Sequence, residues 1–123
     1  MKRRTLEELA LARGGTVTVS LLPPPLDISE KAFQAMVVAL ARSRGWKCYH
    51  TYDSRRSAKG YPDLTMVRHQ PFGGGGVIWM ELKSEKGRVT QDQREWVEEL
   101  RRAHQRAYVL RPSDWSFIEE LLR

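Results

Sequence analysis

The fold is decided by residues 64–83, which read LTMVRHQPFGGGGVIWMELK. The two ends of this stretch alternate in the manner of β-strands. Its glycine-rich middle cannot form regular structure, so it predicts the tip of an antiparallel hairpin. The midpoint of the hairpin lies near Phe72, and Asp63 and Glu81 are each nine residues away from it. Because residues equidistant from a turn lie opposite each other, these two carboxylates should meet at one end of the hairpin.

A lysine joins the two carboxylates. Lys83 is two residues beyond Glu81, so its side chain leaves the strand on the same face. The opposite face is apolar and must be core; it carries Leu64, Met66, Ile78, Met80 and Leu82. Two acidic side chains a few ångströms apart suit a hard cation such as Mg²⁺. A lysine beside them suits a phosphate contact or the positioning of a water molecule. Asp63, Glu81 and Lys83 are therefore the types of residue that metal-assisted hydrolysis of a phosphodiester requires.

Each member of this trio also has an interpretation without catalysis. Pro62-Asp63 is an ordinary turn pair. Glu81 and Lys83 alternate with apolar residues, so they can be the solvent-facing side of an edge hairpin. That interpretation would be preferred if Asp63 did not lie opposite.

Helix and strand patterns surround the hairpin. Residues 33–41 carry one apolar helical stripe, which Gly45 ends. The other expected elements are a strand over residues 46–52, a helix from Thr90 with Trp96, Val97, Leu100 and His104 on one side, a strand over residues 106–111, and a closing helix capped by Ser113 or Asp114. The order α-β-β-β-α-β-α predicts an α/β fold, a mixed sheet flanked by helices. The four tryptophans are expected in the core.

The first 29 residues differ from the rest of the chain. A capping box at residues 5–8 predicts a short helix, and residues 17–21 alternate like a strand. The triproline at residues 23–25 forces an extended connector. We therefore divide the chain into an N-terminal arm, residues 1–29, and a domain of residues 30–123.

Composition limits the class of protein. A chain of 123 residues, 41% hydrophobic and 29% charged, is typical of one globular domain. No apolar run approaches the roughly 20 residues of a membrane span, and the N-terminus lacks the apolar segment of a signal peptide. A single cysteine, Cys48, excludes an intramolecular disulfide and a cysteine zinc site. We expect a cytoplasmic protein. The net charge of +6 favours a polyanionic partner such as nucleic acid.

The order of motifs resembles a known family. Residues 60–64 read GYPDL, residues 81–83 read ELK, and Thr90 and Gln93 open the following helix. This arrangement resembles the VRR-NUC branch of the PD-(D/E)xK nuclease superfamily over about residues 30–111. The resemblance implies the αβββαβ core of restriction-endonuclease-like enzymes. Stand-alone members of the family are similar to Holliday-junction-resolving enzymes, often of viral or mobile-element origin, so a phage-encoded protein of a bacterial host is one expected source.

The resemblance also implies roles for individual residues. Asp63 and Glu81 would bind Mg²⁺ or Mn²⁺ with help from the main-chain carbonyl of Leu82, and Lys83 would be catalytic. An acidic residue of the first helix, here Glu30, would contact the metal directly or through water. The glutamine, here Gln93, would lie at the edge of the site and join the catalytic set.

Glu30 and Gln93 each have a second interpretation. Asp27-x-x-Glu30 and Thr90-x-x-Gln93 both have capping-box spacing. However, Glu30 lies within about 20° of Val37 on a helical wheel, so it should point along the buried side. Gln93 shares a face with the apolar residues of its helix, so it can both cap the helix and reach the site.

Basic residues fall on both sides of the trio. Arg55, Arg56 and Lys59 precede Asp63, and two further cations, Lys86 and Arg88, follow Lys83. A charge run is usually solvated surface, but two runs around one acidic site favour a DNA-binding rim. Arg101, Arg102, Arg106 and Arg111 are interpreted as ordinary surface.

The function expected from these observations is a Mg²⁺- or Mn²⁺-dependent endodeoxyribonuclease. A small core without an evident sequence-reading domain favours branched or duplex DNA selected by shape, including Holliday-type junctions. A junction needs two cuts and the core offers one trio, so we expect a homodimer, with the N-terminal arm as one means of pairing. The alternatives are a flap- or end-processing nuclease, a nuclease acting on RNA, a catalytically inert nucleic-acid-binding module of the same fold, and a basic α/β interaction domain.

Overall fold

A computed structural model describes residues 22–51, 57–70 and 74–123. The helix and strand expected within residues 5–21 lie outside these ranges, as do Phe72, Arg55 and Arg56. Residues 22–25, which include the triproline, have neither helix nor strand, as an extended connector requires.

The described elements follow the expected order. They are α1 (Glu30–Ser43), β1 (Lys47–His50), β2 (Leu64–Arg68), β3 (Gly76–Leu82), α2 (Gln91–Arg102), β4 (Arg106–Leu110), a short 3₁₀ turn (Pro112–Asp114) and α3 (Trp115–Leu121). The predicted fold class, an α/β fold with a mixed sheet flanked by helices, is confirmed. In the part of the chain that the structure describes, no helix is long and apolar enough to cross a membrane.

The four strands form one sheet in the order β1-β2-β3-β4. The first three strands are antiparallel, and β4 lies parallel to β3 after a crossover through α2. Leu64 pairs with Met80 across β2 and β3. Extending that register by one residue places Asp63 opposite Glu81, so the register predicted from the hairpin midpoint is confirmed.

One face of the sheet holds the main core. The five apolar side chains predicted to face inward from β2 and β3 are fully buried. They form one cluster with side chains of α1, the end of β4, the residue before β1 and the C-terminal helix, namely with Phe33, Val37, Leu40, Ala41, Trp46, Leu110, Trp115, Ile118 and Leu122. The helical stripe predicted for residues 33–41 is thereby confirmed, with Met36 at its partly buried margin.

The opposite face is covered by α2. Ala107 is fully buried although it is not part of the main core cluster, because α2 packs against β3 and β4 on the other side. Strand alternation puts Glu81 and Lys83 on this second face as well. The trio therefore lies on the α2 side of the sheet, at the carboxyl end of β3.

Three expectations about local structure were wrong. Ser29, not Asp27, caps α1, and its Oγ accepts a hydrogen bond from the Ala32 amide at 3.1 Å. His104 is exposed beyond the end of α2, with a φ of 64°. Trp79 and Trp96 are only half-buried, because each indole N–H donates to the loop before β2.

Candidate active site

Asp63 is held by the neighbouring strand. It directly precedes β2, and its Oδ2 accepts a hydrogen bond of 2.8 Å from the main-chain amide of Leu82. That amide lies between Glu81 and Lys83 in the chain, so the bond fixes the Asp63 carboxylate against both of them. The Asp63 carbonyl accepts a further bond from the Thr51 amide at 3.0 Å. The half-buried side chain therefore belongs to a fixed arrangement rather than to a free turn.

Glu81 is a buried carboxylate with little compensation. It is 1% exposed, and within the described residues neither Oε1 nor Oε2 has a hydrogen-bond donor. Burial, followed by the negative charge of Asp63, raises the pKa of Glu81 from 4.5 to about 9. A buried carboxylate without a donor is costly. The group therefore needs either a proton, which it can share with Asp63, or a cation.

Lys83 provides part of the positive charge that the Glu81 carboxylate needs. Its Nζ lies 3.8 Å from Glu81 Oε2, close enough for an ion pair but too far for a hydrogen bond. The residue is 9% exposed, and its amide donates to the Leu110 carbonyl of β4 at 3.0 Å. The interpretation of Glu81 and Lys83 as the solvent side of an edge hairpin is therefore wrong, because β4 pairs with β3, which is thus not an edge strand, and both residues are buried.

The residues present fit a divalent metal. Two carboxylates, Asp63 and Glu81, flank the main chain of Leu82, and hard oxygen ligands of this kind suit Mg²⁺ or Mn²⁺. The donor-free oxygens of Glu81 are what a cation would satisfy. Among the described residues, no three histidine, cysteine or acidic side chains converge closely enough to hold a metal ion. A metal here would therefore rest on two side chains, on the Leu82 carbonyl and on water.

Glu30 stands at the margin of this site. It is the first residue of α1 and is exposed, so the expectation that it points along the buried side was wrong. At the first turn the helix has only begun to meet the sheet, so a position on the apolar stripe is not yet covered. Its charge still contributes to the raised pKa of Glu81, which places it within electrostatic range. Its contact with a metal, direct or through water, stays a prediction.

Gln93 forms the predicted capping box of α2. Its Oε1 accepts from the Thr90 amide at 2.9 Å, and its own amide donates to Thr90 Oγ1 at 3.2 Å. Across the described ranges, Gln93 makes no hydrogen bond to the trio. Its half-buried side chain leaves the Nε2 group uncommitted to the cap, and its role at the edge of the site stays a prediction.

Comparison with known proteins identifies the family of the chain. The sequence profile of the VRR-NUC domain matches residues 27–114, a range that contains Asp63, Glu81 and Lys83. The chain belongs to the VRR-NUC family. Among solved structures, a "VRR_NUC domain protein" is 20% identical, with 77% of this chain and 91% of that chain covered, and superposes with a TM-score of 0.56. That likeness supports the fold. No curated protein matches the sequence.

In this VRR-NUC protein, the loop before Asp63 is anchored on α2. Gly60 has a φ of +84°, and a Cβ there would lie 2.5 Å from the main-chain carbon of Asp92. The rings of Tyr61 and Trp96 pack edge to face, with their centroids 5.0 Å apart. The indole N–H of Trp96 donates a hydrogen bond of 3.1 Å to the Lys59 carbonyl. Position 60 therefore requires glycine for two reasons: its φ is positive, and a side chain would clash with the main chain of α2. The anchored loop fixes where Asp63 enters the site.

A second indole completes this anchor from the sheet. Trp79 of β3 donates to the Tyr61 hydroxyl at 3.1 Å. The two half-buried tryptophans thus hold the GYPD loop of the VRR-NUC motif between α2 and β3. Sequence reasoning placed them in the core because large aromatic residues are usually buried. The sequence gives no signal for this contact, because both tryptophans are distant from the Gly-Tyr-Pro turn along the chain.

The basic residues divide into three groups. Lys86 and Arg88 are exposed on the loop after β3, as a rim requires. Lys59 is exposed, but its Nζ lies 3.4 Å from Asp92 Oδ2, so its charge is partly offset. The rim positions Arg55 and Arg56 lie outside the described residues.

Arg111 was missed by sequence reasoning. It is half-buried, and its Nη1 donates to the carbonyls of Ser84, Glu85 and Gly87 at 2.8–3.0 Å. It therefore orders the loop that follows Lys83, and its interpretation as ordinary surface was wrong. Arg106 is likewise structural, since it donates to the Gly75 carbonyl at 3.2 Å. The signal for Arg111 was its place directly after the last strand.

Proposed function

We propose that this VRR-NUC protein is a Mg²⁺- or Mn²⁺-dependent endonuclease that hydrolyses phosphodiester bonds in DNA. The single observation that carries the proposal is the buried, donor-free carboxylate of Glu81, held opposite Asp63 and beside Lys83. Such a group is costly unless it takes up a proton or a cation compensates it, and binding of a metal gives a reason for placing it there.

The roles of the chain's own groups follow from their positions. Asp63, Glu81 and the Leu82 carbonyl would hold the metal, which when bound lowers the pKa of its water and polarises the phosphate. Lys83 presents a compact positive charge at the same end of β3. It would stabilise the negative charge that grows on the phosphate oxygens in the transition state.

The cations around the site favour recognition of backbone shape. Lys86 and Arg88 are exposed side chains on a loop beside the trio, and contacts of lysine and arginine with phosphate position DNA without reading its sequence. We therefore propose a structure-selective enzyme, with branched DNA such as a four-way junction as substrate. Because a junction needs two concerted cuts, a homodimer would present two sites to one DNA.

The decisive experiment is a cleavage assay on junction, flap and duplex DNA and on a matched RNA. The wild-type protein should cut DNA with Mg²⁺ or Mn²⁺ and fail in chelator. Asp63→Asn should abolish cleavage; because asparagine keeps an oxygen for the Leu82 amide, the fold should survive. Glu98→Gln, which removes an exposed carboxylate from α2, is the matched control.

Each other outcome contradicts a defined part of the proposal. Binding of DNA without cleavage under every metal condition would identify an inert nucleic-acid-binding module. Preference for flaps or ends over junctions would replace junction resolution, and preference for RNA would replace the DNA substrate. Turnover by Asp63→Asn close to that of the wild type would overturn the assignment of the site.

A further inference from the structure

A surface cavity of about 600 Å³ lies between the loop after β3, the start of α2 and the end of β4. Its lining consists of Gly87, Arg88, Val89, Thr90, Gln91, Arg94 and Arg111. Three of these residues are arginines, and none of the described residues that line the cavity carries a carboxylate. A concave surface with charge of one sign concentrates its field on a bound ion of the opposite sign.

The cavity shares an edge of the sheet with the proposed active site. Leu82 pairs with Leu110 across the parallel strands β3 and β4, so Lys83 and Arg111 follow neighbouring strands at the same level. Neighbouring strands are about 4.8 Å apart. In open α/β sheets, ligands bind in the crevice at the carboxyl ends of the strands. The cavity therefore opens one strand away from Lys83, on the side towards α2.

No carboxylate of the described residues is paired with the arginines of the cavity. Arg88 and Arg94 are exposed, and neither forms an ion pair within the described ranges. Glu85, which lies on the same loop, turns its Oε1 to the Ser113 amide at 3.0 Å. Arg111 is held by three loop carbonyls and so forms a fixed wall. Two free guanidinium groups next to a fixed one suit a phosphate, which arginine can bind in a bidentate manner.

We propose that this cavity binds a backbone phosphate of the DNA strand being cut, next to the scissile phosphate. This inference rests on the proposed nuclease function. The inference adds a direction to that function: the DNA strand crosses the edge of the sheet from the end of β3 towards α2. Arg88 and Arg94 are the phosphate-binding residues, and Arg111 is a positioning residue that shapes the loop.

The test is DNA binding as a function of salt, measured by fluorescence anisotropy. The probe is a short labelled duplex oligonucleotide, and a fixed concentration of Ca²⁺ is used to permit binding with little cleavage. Arg94→Ala should weaken binding about tenfold, as expected for loss of one charge-assisted contact. It should also reduce the slope of log K against log salt by about 0.9, the value for one phosphate. Arg94→Lys, which keeps the charge, should retain the slope.

Arg102→Ala is the matched control. It removes the same charge from the other end of α2, where the residue is exposed, and should change neither affinity nor slope. If Arg94→Ala behaves like Arg102→Ala, the cavity is not a phosphate site. Replacing Arg88 and Arg94 together should lower the slope by no more than about one phosphate. A fall in the slope that corresponds to two phosphates would assign the two arginines to separate phosphates. That result would also overturn the inference of a single phosphate site.

Failure of this inference can be distinguished from failure of the proposed function. A wild-type protein that cuts DNA and binds it in Ca²⁺, with Arg94→Ala equal to Arg102→Ala, contradicts only the cavity assignment. A wild-type protein that neither binds nor cuts DNA contradicts the nuclease function, and this inference with it.

Discussion

Replacing Glu81 by glutamine is expected to stabilise the metal-free protein. The wild-type side chain is 1% exposed, and burial with the charge of Asp63 raises its pKa to about 9. In the unfolded chain the same group ionises near pH 4.5. Between these two values the folded state holds a proton that the unfolded state releases. Stability from this group is therefore complete below pH 4.5 and is lost progressively up to about pH 9.

The size of the effect follows from the same two pKa values. Each pH unit above 4.5 removes about 1.4 kcal/mol from the free energy of unfolding, so the loss at pH 7 approaches roughly 3 kcal/mol. Glutamine has the shape of the protonated acid and does not ionise. Glu81→Gln should therefore exceed the wild type by up to about 3 kcal/mol at pH 7 in chelator. For a domain of this length that is more than about 10 °C in Tm.

The assay is thermal and urea unfolding, followed by circular dichroism in chelator, from pH 4.5 to pH 8. The advantage of Glu81→Gln should be near zero at pH 4.5 and should grow with pH. The control is Glu98→Gln, an exposed carboxylate on α2, which should follow the wild type throughout. Saturating Mn²⁺ should raise the Tm of the wild type more than that of Glu81→Gln, since a ligand that binds only the folded state stabilises it.

Two results would refute the reasoning. If Glu81→Gln is less stable than the wild type at pH 7 in chelator, the carboxylate is compensated without a metal. If its advantage does not change between pH 4.5 and pH 8, the group does not hold a proton in the folded state. Either result would remove the observation on which the metal site rests.

Further predictions concern the loop, the metal, the basic rim and assembly. Gly60→Ala should cost more than about 1 kcal/mol in unfolding assays and should lower cleavage. Gly45→Ala has a similar φ, but a Cβ there would make only an ordinary contact of 3.6 Å with the Arg68 side chain. This variant separates backbone strain from the steric clash, and equal costs would contradict a role for close packing. Ca²⁺ should support DNA binding better than cleavage, because it takes more ligands in looser geometry; equal cleavage with Ca²⁺ and Mg²⁺ would oppose this. Replacing Arg55, Arg56 and Lys59 together by alanine should lower the salt slope of binding by up to roughly three units, and an unchanged slope would remove them from the rim. Sedimentation should give about twice the chain mass of 14.3 kDa, and a monomer would exclude the dimer.

Much of the fold could be predicted because its signals are local. The apolar stripe of α1, the alternation of β2 and β3, and the capping box at Thr90 each depend on residues a few positions apart. The register of the hairpin follows from its symmetry about Phe72, which places Asp63 opposite Glu81. The sequence by itself therefore determined the order of elements, the core face of the hairpin and the membership of the trio.

What only the tertiary structure decided is the environment of those groups. Glu81 and Lys83 are buried because β4, from residues 106–110, pairs with β3 only after the chain has passed through α2. The same crossover brings Arg111 to the loop after Lys83 and creates the arginine-lined cavity. The burial and charge of a side chain depend on neighbours from distant parts of the chain, which periodicity along the sequence does not encode. The pattern thus identified the three side chains of the trio, and the packing of β4 and α2 set their exposure, their partners and the raised pKa of Glu81.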